Sequence, residues 1–152
     1  MFTVEHSLHL SVPVARVWRF LADVERYQHW HPFITMALDP QTPRKVMCTY
    51  RYKRSDYSLD GMIVELDRHH AIAWRIGIPG IIEIQEGFVI EKEMLGTHIV
   101  HQMRWNGFLA AIGWFSRNRL RRLLAVTDTS LAQYLQRGAI LARYSQGRAS
   151  RR

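Results

Sequence analysis

Six side chains on segments that alternate like strands carry groups able to do chemistry: His6, Cys48, Tyr50, Tyr52, Glu86 and His101. A carboxylate and imidazoles in an apolar, low-dielectric setting have shifted pKa values and can exchange protons with a bound molecule. Glu86 and His101 are the candidate catalytic pair on that reading. The bland alternative is that these groups hydrogen-bond one another, or water, and only line a pocket. Tyr50 and Tyr52 read as pocket wall and rim, and Cys48 as a small buried filler. The chain has no Gly-rich phosphate loop, no GxSxG elbow, and no HExxH or CxxC. His29-Trp30-His31 and His69-His70 lack a Cys or carboxylate at ligand spacing, so they read as surface histidines. Neither a metal nor a cofactor is expected.

The elements that must position these groups follow from hydropathy period. Phe2, Val4, His6, Leu8 and Leu10 alternate with polar residues, which makes a half-buried strand. Further strands are expected at Phe33 to Leu38, Val46 to Lys53, Ser58 to Leu66, His70 to Ile76, Ile82 to Glu93 and Thr97 to Gly107. Met62, Val64 and Leu66 share one side of the fourth strand, and Ile72, Trp74 and Ile76 one face of the fifth. With Leu95-Gly96 as a two-residue turn, Met94 pairs with Thr97, Ile90 with His101 and Glu86 with Trp105. Ile82, Ile84, Glu86, Phe88 and Ile90 then share an inner face with His101, Met103 and Trp105. Glu86 and His101 are thereby directed into an otherwise apolar concavity.

Helical spacing appears twice. Pro13 suits the first turn of a helix carrying Val14, Val17, Trp18 and Leu21, and Asp23 could cap a second short helix from Val24 to Trp30. Near the C-terminus, Leu120, Leu123, Leu124, Thr127, Leu131, Tyr134 and Leu135 form a long apolar stripe, with Gly138 as its end or a kink. Between the last strand and that helix lies Phe108-Leu109-Ala110-Ala111-Ile112-Gly113-Trp114-Phe115. It reads either as a gate that dips into a bilayer surface or as a packed segment, the first turns of the helix or a flap over the cavity mouth, the packed reading being favoured.

The order strand, Pro-started helix, Asp, short helix, Trp30-His31-Pro32-Phe33, strand, and the closing long helix resemble the SRPBCC superfamily. The resemblance implies an α+β, START-like (helix-grip) fold: a curved seven-stranded antiparallel sheet around a long C-terminal helix, with two short helices after the first strand. It also implies an apolar cavity between sheet and helix, lined here by Trp74, Ile84, Phe88, Met103 and Trp105 and closed by Leu124 and Leu131.

Composition sets the outer bounds. The 152 residues are 47% hydrophobic and 22% charged, enough for one domain with a core and a modest cavity. One cysteine excludes an internal disulfide, no secretory leader pattern opens the chain, and a cytoplasmic location is expected. The net charge of +8 is not spread evenly: from Arg117 onward nine arginines face one acid, Asp128. Those arginines could meet an anionic membrane or nucleic acid, although a solvated face is the plainer reading. Residues 1–144 are expected to form the ligand-binding domain and 145–152 a basic, disordered tail.

Binding or transport of a hydrophobic small molecule such as a lipid, polyketide or isoprenoid is the expected function, since no catalytic constellation stands out. An aromatase/cyclase using Glu86 and His101 is the alternative that the resemblance implies. A coenzyme-Q-binding or ribosome-associated partner protein is a third.

Overall fold

A computed structural model describes residues 1–149, the last eleven by backbone alone. Nine residues of alternating polarity form β1 (Phe2–Leu10), followed by α1 (Val14–Ala22), a 3-10 turn (Val24–Arg26) and α2 (Tyr27–Trp30). Six further strands follow: β2 (Ile34–Leu38), β3 (Lys45–Tyr52), β4 (Ser55–Asp67), β5 (Ala71–Ile78), β6 (Ile82–Glu93) and β7 (Gly96–Asn106). The chain ends in α3 (Ala110–Phe115) and the 33-residue α4 (Arg117–Ala149). All strand pairs are antiparallel in one sheet of order β1-β7-β6-β5-β4-β3-β2. This is the expected seven-stranded helix-grip architecture.

Local chemistry explains the short elements. Pro13 stands at the N-cap of α1, where its carbonyl accepts from the amides of Arg16 and Val17. Asp23 precedes the 3-10 turn but caps nothing with its side chain; it pairs instead with Arg26 Nε at 2.9 Å. Val17 and Leu21 of α1, with Tyr27 and Trp30 of α2, turn into the core. They pack on Ile72, Trp74, Phe88 and Leu131, and each such buried side chain contributes roughly 1.5–3 kcal/mol. The Ser130 hydroxyl donates to the Trp30 carbonyl and ties α4 to α2.

Three expectations need correction. The β6–β7 turn is Met94-Leu95, so Glu93 pairs with Gly96, Phe88 with His101 and Glu86 with Met103, two residues away from the expected register. A shift of two preserves the faces, because side chains alternate with period two. In β4 the register shifts between Ile63 and Glu65, and the core side is Gly61 and Ile63; Met62 and Leu66 are exposed. A bulge breaks the alternation that had grouped Met62, Val64 and Leu66. Finally, α4 passes through Gly138 without ending and remains helical through Ala149, so most of the expected tail is helix. Residues 150–152 lie outside the described part. No helix among the described residues is long and apolar enough to cross a membrane.

Candidate functional site

Four titratable side chains from four elements meet against the inner face. His101 of β7 is fully buried, with Nδ1 2.8 Å from Asp128 Oδ1 and Nε2 3.1 Å from Glu86 Oε1. Asp128 Oδ2 lies 2.5 Å from Nδ1 of His6, whose imidazole is about one third exposed. Strand pairing places them: His6 lies opposite His101 in β1–β7, and Phe88 lies opposite His101 in β6–β7, two residues from Glu86. The Phe88 ring stacks on the His101 imidazole with centroids 4.2 Å apart.

Burial alone would push the His101 pKa down. Hydrogen bonds to Asp128 and Glu86, together with their charges, outweigh burial and raise it to about 9. At neutral pH His101 is therefore an imidazolium that donates both N–H groups, one to each carboxylate. Glu86 and His101, expected as inward neighbours, do touch. Asp128 entered the charge count but not the expected site. Its signal was present nonetheless: position 128 is four residues after Leu124 and three before Leu131, on the buried stripe of α4.

The other expected lining residues divide into two groups. Trp74, Phe88, Leu124 and Leu131 are fully buried, as is Cys48, whose thiol burial and the charge of Glu86 push up to about 12. Trp74, Phe88, Cys48 and Leu131 belong to one continuous core cluster. Tyr50, Ile84, Met103 and Trp105 are only partly buried, and Tyr52 is exposed. Strand pairing sets Tyr57, Leu59 and Ile78 beside Tyr50, Cys48 and Ile82 on the same face, and all three remain exposed despite their apolar bodies. The concave face therefore opens at the end where Tyr52 of β3 meets Arg119 of α4. Across that opening Arg119 donates to the Tyr52 hydroxyl at 2.9 Å and holds its guanidinium 5.2 Å over the ring.

Polar atoms accumulate behind the opening. Tyr50 Oη, Trp74 Nε1 and Trp105 Nε1 are buried without a hydrogen-bond partner. Burial first, and then the charges of Glu86 and Cys48, raise the Tyr50 pKa well above that of a free phenol, so it stays protonated. The Trp74 indole pulls slightly the other way, but the pair does not complete a hydrogen bond of good geometry. A buried donor without an acceptor costs about 1–3 kcal/mol, so three on one face ask for an explanation.

His31 is not the surface histidine that its neighbourhood suggested. It is buried at the end of α2, where Nδ1 accepts from the amides of Phe33 (3.3 Å) and Ile34 (3.2 Å). Burial, and then the charge on His101, hold its pKa well below that of free imidazole. Among the described residues, no group of three or more His, Cys, Asp or Glu side chains is arranged to hold a metal ion.

Several solved structures share this fold. A START superfamily protein from Mycobacterium smegmatis superposes with a TM-score of 0.72 at 12% identity, over 89% of this chain and 97% of that one. A protein from Nitrosomonas europaea gives 0.69 at 15% identity, over 91% and 96%. The di-domain ARO/CYC StfQ from the steffimycin biosynthetic pathway gives 0.68 at 12% identity, over 90% of this chain and 51% of that one. None of the curated proteins matches the chain. The family model for polyketide cyclase / dehydrase and lipid transport matches residues 1–136, the whole of the sheet and the first part of α4, and the chain belongs to that family.

Proposed function

We propose that the chain binds an apolar small molecule carrying hydrogen-bond acceptors in the open end of its concave face. The observation that carries this reading is the set of unpartnered donors, Tyr50 Oη, Trp74 Nε1 and Trp105 Nε1, behind an opening rimmed by exposed apolar side chains. A carbonyl-bearing ligand would satisfy the donors, while Ile84, Met103 and Trp105 cover its apolar body. The Tyr52–Arg119 bridge would close over it.

The test is titration with an environment-sensitive apolar dye, followed by displacement with fatty acids, isoprenoid quinones and polycyclic phenols. One site per chain is expected. Met103→Trp and Ile84→Trp should each weaken dye binding by about tenfold, since an overfilled pocket costs roughly 1–3 kcal/mol. Absence of dye binding, or equal binding by both variants, overturns the reading.

A second reading, acid–base catalysis of the aromatase/cyclase kind, is favoured by one observation: Glu86 and His101 touch on the inner face, with Asp128 fixing the far side of the imidazole. Glu86 would take a proton from carbon or oxygen of the bound molecule while the His101 imidazolium orients it. On that reading Glu86→Gln lowers turnover of a cyclisable poly-β-carbonyl substrate by about 10² to 10⁴ with little change in affinity. A carrier would show no turnover to lose.

A further inference from the structure

Five bulky apolar side chains project into solvent beside the mouth of the recess: Ile81, Phe108, Ile112, Trp114 and Phe115, at 47, 87, 63, 52 and 90% exposure. They come from two segments joined as one surface. The amide of Phe108 donates to the Gly80 carbonyl at 3.1 Å and that of Leu109 to the Ile81 carbonyl at 2.9 Å. Gly107 turns the corner at φ +93°, where a side chain would strike the Ile81 carbonyl. Within α3 the two residues that face the protein, Ala110 and Gly113, are small. Ala110 is buried, and a Cβ at Gly113 would lie 2.6 Å from the Phe2 ring and 2.8 Å from Trp105. A helix that existed only to pack would bury its large side chains and expose its small ones. Here the arrangement is inverted, and the patch is too contiguous to be scattered surface hydrophobicity.

Basic groups outnumber acids at this end, and the acids nearest to it, Glu83 and Asp56, are paired with Arg75 and Arg51. Between Glu93 and Asp128 there is no acid, while Arg117, Arg119, Arg121 and Arg122 follow α3 directly. Arg117 holds its guanidinium 5.0 Å over the Trp114 ring. Arg119 and Lys53 both sit on the Tyr52 ring, bringing the β3–β4 turn into the same cationic collar. Aromatic and aliphatic side chains ringed by arginines match the two layers of a lipid surface, with acyl chains beneath anionic headgroups.

We propose that α3 and the β5–β6 turn dock on an anionic lipid membrane, with Phe108, Ile112 and Phe115 entering the acyl boundary and Arg117, Arg121 and Arg122 meeting headgroup phosphates. This sets the mouth of the recess against the bilayer. The inference rests on the exposed surface and not on recess binding, and the two can fail separately.

The test is flotation of the intact chain with vesicles of phosphatidylcholine, alone or mixed with phosphatidylglycerol, at low and high salt. Binding is expected only with phosphatidylglycerol and weakens with salt. Phe108→Ser/Phe115→Ser should reduce it about tenfold or more at unchanged charge, and Arg121→Gln/Arg122→Gln by a similar factor at unchanged hydrophobicity. Brominated lipid should quench a fluorescence component that Trp114→Phe removes. Retained circular dichroism and dye binding in the variants establish that fold and recess are intact. The proposal is overturned by absence of flotation at low salt, by binding that ignores phosphatidylglycerol, or by variants that bind as the parent does. A dimer dissolved by Phe115→Ser, without vesicle binding, would assign the surface to a second copy of the chain and equally overturn it.

Discussion

His31 and His101 are both buried, both belong to the inner layer, and both lie within electrostatic reach of one another, yet their pKa values are shifted in opposite directions. His31 meets two backbone amides through Nδ1 and no carboxylate, so burial dominates and the ring is neutral, with its remaining proton on Nε2. His101 meets Asp128 on one side and Glu86 on the other, and two anions reverse the effect of burial. The difference teaches that depth in this fold does not decide charge; the partners at each nitrogen do. It also explains why a cation can sit in the interior at all, since a buried charge is tolerated only when paired and hydrogen-bonded.

The sharpest way to break this comparison is Asp128→Asn, which removes one of the two anions and leaves the shape intact. Breaking a buried ion pair should destabilise the fold by about 3 kcal/mol in urea titration at neutral pH. The NMR titration midpoint of His101 should fall from about 9 towards that of free imidazole. An unchanged midpoint would mean that Asp128 does not hold His101 charged.

A second measurement separates the two histidines by pH. The folded pKa of His101 is raised, so its stabilisation is fully present below the unfolded value of about 6.5 and is lost as pH rises through about 9. The full amplitude is on the order of 3 kcal/mol. For His31 the folded pKa is depressed, so its stabilisation is present above about 6.5 and is lost as pH falls below that. Together they produce a stability maximum close to pH 6.5 in chemical unfolding. His31→Leu should flatten the acid limb and spare the alkaline one. Loss of both limbs together would show that the histidines do not act separately.

The smallest effect is expected at His6, which reaches solvent. His6→Gln can still donate to Asp128 and should cost under about 1 kcal/mol, with the His101 midpoint nearly unmoved. A large shift would extend the coupled unit to the surface.

Much of the scaffold could be read without coordinates, because its signals are local. Alternation in β5, β6 and β7 identified the inner faces, and the stripe from Leu120 to Leu135 identified α4. Where local geometry departs from the ideal period, that reading failed. The bulge after Ile63 set Met62, opposite exposed Arg75, and Leu66, opposite core Ile72, on different faces of β4, and the Met94-Leu95 turn moved the hairpin by two residues. The segment from Phe108 to Phe115, expected to pack as helix turns or a flap, is in part a short helix, but its large side chains face solvent. Hydrophobicity alone does not say which side of a six-residue helix finds a neighbour.

In the regular elements β5, β6, β7 and α4 the sequence by itself determined which residues face inward, since a strand's period of two and a helix's of 3.6 are properties of the backbone. Thus Glu86 and His101 were recognisable as inward polar groups before their distances were known. Only the tertiary structure decided what they meet there. Asp128 lies 122 residues from His6 and 27 from His101, and an acid on an apolar helix stripe is unfavourable until curvature of the sheet brings those imidazoles to it. The same holds for His31, whose burial depends on α2 folding back over the sheet, and for the unpaired Trp74 and Trp105 indoles, whose isolation is a property of the assembled interior. Orientation is set by the bonds along the chain, whereas partnership and charge are set by neighbours that only the fold supplies.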